Sequence, residues 1–284
     1  MTRGQECIGS LLASAKLKLA RLPHASPRLE AETLLSFCLE QPRSHLYAWP
    51  QRGVPPEALS RFQRLLQRRL TGEPLAYLLG RREFWSLDLL VTPATLIPRP
   101  ETELLVELAL KLLPEHPPQK VLDLGTGSGA IAAALAWERP GWGLTASDAS
   151  PATLAVARHN FERLSLGNLR SFLGDWYQAL PPGERFHLIL SNPPYIPARD
   201  PHLGLGDLPW EPRSALAAGP DGLEAIRSIM AGAAERLEPD GWLLLEHGFD
   251  QGPSVRALAQ QAGLREIRTH TDLEGLERAT QCRL

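Results

Sequence analysis

Val121-Leu122-Asp123-Leu124-Gly125-Thr126-Gly127-Ser128-Gly129-Ala130 carries a short apolar run into a glycine-rich turn and then into an alanine-rich stretch ending near Glu138. The run has the length and branching of a buried strand, and the stretch after it has those of a helix. Glycines at the junction allow a tight turn and let a ligand approach the backbone closely. Strand, glycine turn and helix in that order open a parallel sheet covered by helices on both faces.

The residues downstream repeat the alternation. Gly143 to Ser147 reads as a second strand ending at Asp148, Pro151 to Leu164 as a helix, and Leu169 to Leu173 as a strand ending at Asp175-Trp176. Phe186-His187-Leu188-Ile189-Leu190-Ser191 is another apolar run, halted by Asn192-Pro193-Pro194-Tyr195. Proline cannot extend a hydrogen-bonded ladder, so the chain leaves the sheet at Asn192. A helix from about Gly222 to Leu237, a strand at Gly241 to Glu246, a helix from about Gly252 to Ala262 and a terminal pair near Glu266–Thr269 and Arg278–Arg283 complete the expected α/β layer. Residues 196 to 219 form a long Pro- and Gly-rich loop, of a length that is usually either a functional lid or disordered, and because it leaves the expected site directly a substrate-covering role is expected of it.

Upstream the pattern is helical. Ile8, Leu11, Leu12, Ala15 and Leu19 share a face, Ser26-Pro27 suits the N-cap and first turn of a second helix, and Pro55-Pro56 starts a third. Residues 75 to 92 read as two strands around a Gly80-Arg81-Arg82 turn. Leu96 to Glu103 is a rigid lead into a helix ending near Leu113, with Glu101 and Glu103 suited to the positive end of its dipole. The expected domains are therefore a helical bundle over 1–74, a β-hairpin linker over 75–95 and an α/β domain over 96–284.

Charge divides unevenly: 13 basic against 8 acidic residues up to position 90, and 17 against 24 beyond it. An acidic α/β half repels a phosphate backbone, which argues against direct nucleic-acid binding, whereas the basic first part can steer a partner. Arg61, Arg64, Arg68 and Arg69 equally suit one solvated helix face. No apolar run reaches the roughly 20 residues of a membrane span, and a cytoplasmic location is expected. Three widely spaced cysteines without a Cys-x-x-Cys pattern indicate neither a disulfide framework nor a zinc site.

Asp148 follows Gly125 by 23 positions and, at a strand end, is placed to accept from both hydroxyls of a ribose. Gly125-x-Gly127-x-x-Ala130 also fits the relaxed dinucleotide fingerprint, which keeps a nicotinamide or flavin enzyme open. Asp123 favours another ligand, since a carboxylate there opposes a pyrophosphate and welcomes an ammonium. S-adenosyl-L-methionine has an ammonium, a ribose and no phosphate. Asp175 suits the adenine amino group and Trp176 a flat wall for the ring, although plain packing explains a tryptophan equally well.

Asn192-Pro193-Pro194-Tyr195 suits a planar NH2 group. The Asn192 carboxamide oxygen and the Pro193 carbonyl can each accept one N–H, aiming the nitrogen lone pair at an electrophile, while the Tyr195 ring stacks on the flat group. His247 is tempting as a base, but methyl transfer needs none beforehand, and packing is the expected role.

With these residues assembled, the chain resembles the HemK/PrmC family of peptide chain release factor glutamine N5-methyltransferases over nearly its whole length. The resemblance rests on Ile97-Pro98-Arg99-Pro100-Glu101-Thr102-Glu103, Asp123-Leu124-Gly125-Thr126-Gly127, Asp148, Asp175-Trp176, Asn192-Pro193-Pro194-Tyr195-Ile196 and Trp210-Glu211-Pro212. It implies a Rossmann-like, seven-stranded class I methyltransferase domain behind a helical substrate-recognition domain. It further implies methylation of the glutamine side-chain amide in the Gly-Gly-Gln loop of class 1 release factors, with S-adenosyl-L-homocysteine as product. By matching position, Asp123, Leu124, Gly125, Thr126, Gly127, Asp148, Asp175, Trp176 and Asn192 would contact the cofactor. Asn192, Pro193, Pro194 and Tyr195 would hold the glutamine, with Asn192, Pro193 and Tyr195 catalytic. No metal is implied, and a monomer is expected. The rival readings are an adenine-N6 methyltransferase of nucleic acids, which shares the tetrapeptide, and a non-catalytic module that keeps the cofactor fold.

Overall fold

The computed structural model describes residues 6–23 and 25–284. The chain forms two compact units, the first comprising the described residues up to Gly80 together with Gly204–Trp210, the second Arg81–Leu203 with Glu211–Leu284.

The first unit holds α1 (Ile8–Leu19), α2 (Pro27–Leu39), α3 (Arg43–Ala48), α4 (Pro56–Leu70) and α5 (Leu75–Leu79). Ile8, Leu11, Ala15, Leu34, Leu35, Phe62 and Leu66 meet in its core, as their helical spacing requires. Three details depart from the sequence reading. Ser26 does not cap α2 with its hydroxyl; its N–H instead donates to Glu30 Oε1 at 3.2 Å. Arg69 is not on the solvated face of α4 but 7% exposed, with its Nε donating to Glu30 Oε2 at 2.7 Å. Leu75 to Leu79 is a helical turn and not a strand. Five apolar residues carry no periodicity to separate the two, and the punctuation decides: Pro74 precedes the turn and Gly80, at φ 70°, caps it left-handed.

The hairpin of the second unit is thus shorter than expected, β1 (Arg81–Phe84) pairing with β2 (Leu87–Leu90). Trp85 and Ser86 form its turn at φ 52° and 59°, an unusual conformation for such residues. Both ends of Trp85 are anchored: its backbone N–H donates to Glu103 Oε1 at 2.8 Å and its indole N–H to Glu138 Oε1 at 2.7 Å. Glu103, read as a dipole partner for the next helix, therefore also ties that helix to the hairpin.

A tight turn over Pro100–Thr102 leads into α6 (Glu103–Leu112). Then come β3 (Lys120–Leu124), α7 (Ala130–Glu138), β4 (Gly143–Asp148), α8 (Pro151–Arg163), β5 (Leu169–Leu173), β6 (Phe186–Ser191), α9 (Glu224–Arg236), β7 (Leu237–Glu246), α10 (Gly252–Gln261), β8 (Arg265–Thr271) and β9 (Glu277–Arg283). Seven strands form one sheet in the order β5-β4-β3-β6-β7-β9-β8, in which β9 runs against its neighbours. Successive residues pack on opposite faces: Val121, Leu188, Leu190 and Leu244 in one core, Leu122, Leu124, Ile189, Leu243 and Leu245 in the other. Both faces are covered, which is why these strands read as continuous apolar runs. From Ala130 to Ala136 every residue of α7 is buried, because small side chains let this helix lie close against its neighbours. The strand order reverses between β3 and β6, leaving a crevice beyond their carboxyl ends, where α/β sheets bind ligands.

Candidate active site

At that crevice the second unit encloses a cavity of about 270 Å³. Its wall includes Gly125, Thr126, Gly127 and Ser128 after β3, Ser147 and Asp148 from β4, Asp175 and Trp176 after β5, and Asn192 and Pro194 after β6. Four strand ends separated by up to 70 residues of sequence thus converge as the topology dictates.

The glycine loop is held from several sides. Gly125, Gly127 and Gly129 have φ of 67°, 60° and 84°, where a side chain is strained. A Cβ on Gly129 would lie 2.4 Å from the Phe161 ring, so this glycine is also required for close packing. Thr126 N–H donates to the Ser147 carbonyl at 2.9 Å, and Ser191 Oγ donates to the Leu124 carbonyl at 2.6 Å. Asn160, wholly buried in α8, accepts from Leu90 N–H at 2.8 Å and donates to the Leu90 and Ser128 carbonyls at 3.0 and 2.8 Å. That bracket, joining hairpin to glycine loop, was marked in the sequence only by a polar residue among the apolar ones on the buried face of α8.

Asp148 uses one oxygen for each flanking loop: Oδ2 accepts from Gly127 N–H at 3.1 Å and Oδ1 from Ser150 N–H at 2.9 Å. Burial raises its pKa. Asp123 is 1% exposed and does not reach the cavity wall; its Oδ2 accepts from Thr126 Oγ1 at 2.6 Å, while Oδ1 has no hydrogen-bond partner among the described residues. Burial pushes this acid up to about 7. Leu124 likewise lies in the core and not on the wall. The Trp176 ring lies against the glycine loop, with Cζ3 3.5 Å from the point where a Gly125 Cβ would stand.

Asn192 lines the cavity with its Nδ2 donating to Thr102 Oγ1 at 3.1 Å. Pro193 and Tyr195 are not on the wall. The Tyr195 hydroxyl turns away to Glu246, donating to Oε1 at 3.2 Å, and burial raises its pKa. Glu246 is 2% exposed and pushed up to about 7 by burial. His247 is packed, its ring nitrogens 2.8 Å from the Gly248 carbonyl and 2.8 Å from Thr280 Oγ1, as its expected structural role requires.

Two segments contribute beyond the sequence-derived site. Pro98, Arg99 and Thr102 bring the proline-rich lead of α6 to the wall, and Pro212, Ser214 and Ala215 bring the end of the long loop. Glu211 clamps them, accepting from Ile97 N–H at 3.0 Å and pairing with the Arg99 guanidinium. Two prolines around Arg99 were the available signal, since they fix an extended lead whose side chains cannot turn into a helix. Within the long loop are short helical turns at Pro201–Gly204, Leu208–Trp210 and Arg213–Ala215, and a bridge between Ile196 and Ala217. Its Gly204–Trp210 portion groups with the first unit, where Asp207 Oδ1 lies 3.6 Å from Arg69 Nη1.

Among the described residues no cluster of His, Cys, Asp and Glu could hold a metal ion, and no helix is long and apolar enough to cross a membrane.

Glycine loop, acid after the second strand and Asn-Pro-Pro-Tyr after β6, on a sheet of this order, define a methyltransferase. Residues 101–205 match the methyltransferase small domain and residues 10–80 the PrmC N-terminal domain. The chain belongs to the release factor glutamine methyltransferase family. Relatives of that name from Pseudomonas aeruginosa and Vibrio cholerae are 53% and 47% identical to it, over 93% and 96% of this chain and 95% of each relative. Among solved structures, a methyltransferase from Pyrococcus furiosus aligns with a TM-score of 0.53 at 19% identity, over 76% of this chain and 96% of that one. The hMettl16 catalytic domain, solved in complex with the MAT2A 3′UTR hairpin 6, aligns with a TM-score of 0.56 at 17% identity, over 80% and 81%. Both share the fold.

Proposed function

We propose that this enzyme transfers a methyl group from S-adenosyl-L-methionine to the side-chain amide nitrogen, N5, of the glutamine in the Gly-Gly-Gln loop of class 1 peptide chain release factors. The observation that carries the reading is the presence of Asn192 on the same cavity wall as Gly125, Gly127 and Asp148. An amide-holding group thereby shares a pocket with a cofactor cradle.

The cradle suits the cofactor. Gly127 has open space where a Cβ would stand, Ser147 Oγ is buried on the wall with no partner among the described residues, and Asp148 has lone pairs to spare for ribose hydroxyls. Asp175 and Trp176 are assigned to the adenine amino group and ring face. Asp123, set behind Thr126, acts on the ammonium through its potential and not by contact. Once bound, the cofactor supplies an electrophilic methyl on a sulfonium sulfur.

The protein's part is to make a poor nucleophile competent. A carboxamide nitrogen delocalises its lone pair, so it must be oriented and its developing charge accommodated. The Asn192 side-chain oxygen and the Pro193 carbonyl accept its two hydrogens, and Pro193-Pro194 keep these acceptors rigid before the substrate arrives. Tyr195 supports the loop from behind through its hydroxyl bond to Glu246. One proton leaves nitrogen after the methyl arrives, and S-adenosyl-L-homocysteine remains. The basic helical unit receives the body of the release factor, with Arg61, Arg64 and Arg68 of α4 as steering charges. The enzyme acts as a cytoplasmic monomer without binding nucleic acid or membrane.

Incubation with labelled S-adenosyl-L-methionine and purified release factor, its Gln-to-Ala loop variant, or duplex DNA tests this reading. Label is expected in the first alone; label in DNA, or in the loop variant, would sink it.

A further inference from the structure

Proline stiffens the loop Asn192–Tyr195 and also takes two N–H groups from it, so Pro193 and Pro194 donate no backbone hydrogen bond. The loop must therefore be held by its ends. The upstream end is fixed in the sheet: Ser191 pairs with Leu245 of β7, and its hydroxyl donates to the Leu124 carbonyl at 2.6 Å. The downstream end is Tyr195, held at two points. Its hydroxyl donates to Glu246 Oε1 at 3.2 Å, and its carbonyl accepts from Gln251 Nε2 at 2.9 Å.

Gln251 stands in the turn between β7 and α10, immediately ahead of Gly252. The two ends of its carboxamide are not interchangeable. Gly248 N–H can only donate, and it reaches Oε1 at 2.9 Å; the Tyr195 carbonyl can only accept, as can the Asp221 carbonyl 3.5 Å from Nε2. A flip would set donor against donor and acceptor against acceptor. Gly222, at φ 74°, closes the far side: a Cβ there would stand 2.2 Å from the Tyr195 carbonyl oxygen and 2.8 Å from Gln251 Nε2. The carbonyl is thus seated between a fixed donor and a glycine that leaves it room. Closing the turn does not need the Nε2 bond, since Gln251 N–H already donates to the Gly248 carbonyl at 3.0 Å and Oε1 takes the Gly248 N–H.

We propose that Gln251 is a positioning residue that holds the Asn-Pro-Pro-Tyr loop by its downstream end, keeping Asn192 and the Pro193 carbonyl aligned on the glutamine nitrogen. The inference rests on the substrate assignment made above. Because two pyrrolidine rings fix φ in between, a rotation of the Tyr195 peptide is passed back to the Pro193 carbonyl and not absorbed on the way. Misplacing a reacting group by about 1 Å can cost about 100-fold in rate. The same anchor serves the wall opposite, because Ile196, next in the chain, pairs with the returning end of the long loop through Ile196 N–H to the Leu216 carbonyl at 2.9 Å and Ala218 N–H to the Ile196 carbonyl at 3.0 Å.

Three substitutions separate the two halves of the Gln251 carboxamide. Gln251→Glu keeps an acceptor for Gly248 and sets a second oxygen against the Tyr195 carbonyl. Gln251→Lys keeps a donor for that carbonyl and gives up the acceptor. Gln251→Met retains the approximate shape and neither bond.

The test measures kcat and the KM for release factor in wild type and the three variants, with labelled S-adenosyl-L-methionine and a purified class 1 release factor. Cofactor Kd is measured by calorimetry and folding by melting temperature. Gln251→Met and Gln251→Glu are expected to lose about tenfold or more in kcat, with KM and cofactor Kd changed less than about threefold. Gln251→Lys is expected to stay within about threefold of wild type in kcat. The opposite order, with Gln251→Glu close to wild type and Gln251→Lys impaired, would make Gln251 a clasp of its own turn and overturn the positioning role, as would equal kcat in all four proteins. Should Gln251→Glu not fold, Gln251→Lys against Gln251→Met decides, and equal kcat in those two would overturn the role. Failure of the wild type to label the release factor would instead remove the functional reading itself.

Discussion

Asp148 at the end of β4 holds the Gly127 backbone N–H at 3.1 Å, so the acid assigned to the ribose also shapes the loop beside it. Asp148→Ala removes a charged acceptor for the ligand and two bonds that order the cradle. Hydrogen bonds to charged groups contribute about 1.5–3 kcal/mol each, so cofactor affinity is expected to fall by about 10- to 100-fold. Asp148→Asn keeps one acceptor oxygen and is expected to fall between. Calorimetric titration with S-adenosyl-L-homocysteine measures both, and equal affinity in all three proteins would remove Asp148 from the site.

Gly129 is limited twice, by φ of 84° and by the Phe161 ring 2.4 Å from a would-be Cβ. Gly129→Ala must push the ring aside or unwind the start of α7, and overpacking of this kind costs about 1–3 kcal/mol. A lower melting temperature is expected, with Gly129→Ala/Phe161→Leu recovering part of the loss by clearing the clash. A melting temperature equal to wild type would show that the loop relaxes freely.

Much of this architecture was legible because buried parallel strands announce themselves as apolar runs and their ends as breaks in composition. Gly125, Asp148, Trp176 and Asn192 were found this way, each standing where a run stops. Thr102 was not, since it sits inside a helix start. Leu75 to Leu79 misread as strand because five apolar residues fit either period. Asp123 was read as touching a ligand, yet lies behind Thr126: alternation along β3 states which face a side chain takes, not how deep it lies.

Asp123 also makes stability depend on pH. Its pKa, about 7 when folded, lies above the ordinary value of 3.8. The unfolded chain therefore releases this proton first as pH rises, and the folded state loses stability between about pH 4 and pH 7, then levels off. Each pH unit in that window weighs up to about 1.4 kcal/mol. Asp123→Asn is expected to melt above wild type at pH 7 and close to it at pH 4.5, without cofactor. A difference independent of pH would show that the acid stays ionised in the fold.

In the first unit, Arg69 and Glu30 are a pair with side chains 9% and 10% exposed, and Arg69 also donates to the Gly72 and Glu73 carbonyls at 3.2 Å. Removing one partner of such a pair strands the other charge, at a cost of about 3–5 kcal/mol. Arg69→Ala is expected to unfold the helical unit at a lower denaturant concentration. The double variant Arg69→Met/Glu30→Leu is expected to be more stable than Arg69→Ala, since no charge is left behind. If the two unfold together, packing of the arginine stem outweighs the charge.

Trp176 is the sharpest probe of the adenine side. Its φ of 41° is one that side chains rarely adopt, and Gly174, two residues earlier at φ 155°, has no room for a Cβ, which would meet Ala179 Cα at 2.8 Å. This tight turn sets the indole against Gly125 and at the cavity wall. An aromatic face under a base contributes about 1–3 kcal/mol, so Trp176→Ala is expected to weaken cofactor binding by about 5- to 100-fold, and Trp176→Phe by less. With the ring assigned to the cofactor half of the cavity, the KM for release factor at saturating cofactor is expected to stay within about twofold. Loss of release factor affinity with unchanged cofactor binding would move Trp176 to the substrate side, and the boundary between the two halves of the pocket with it.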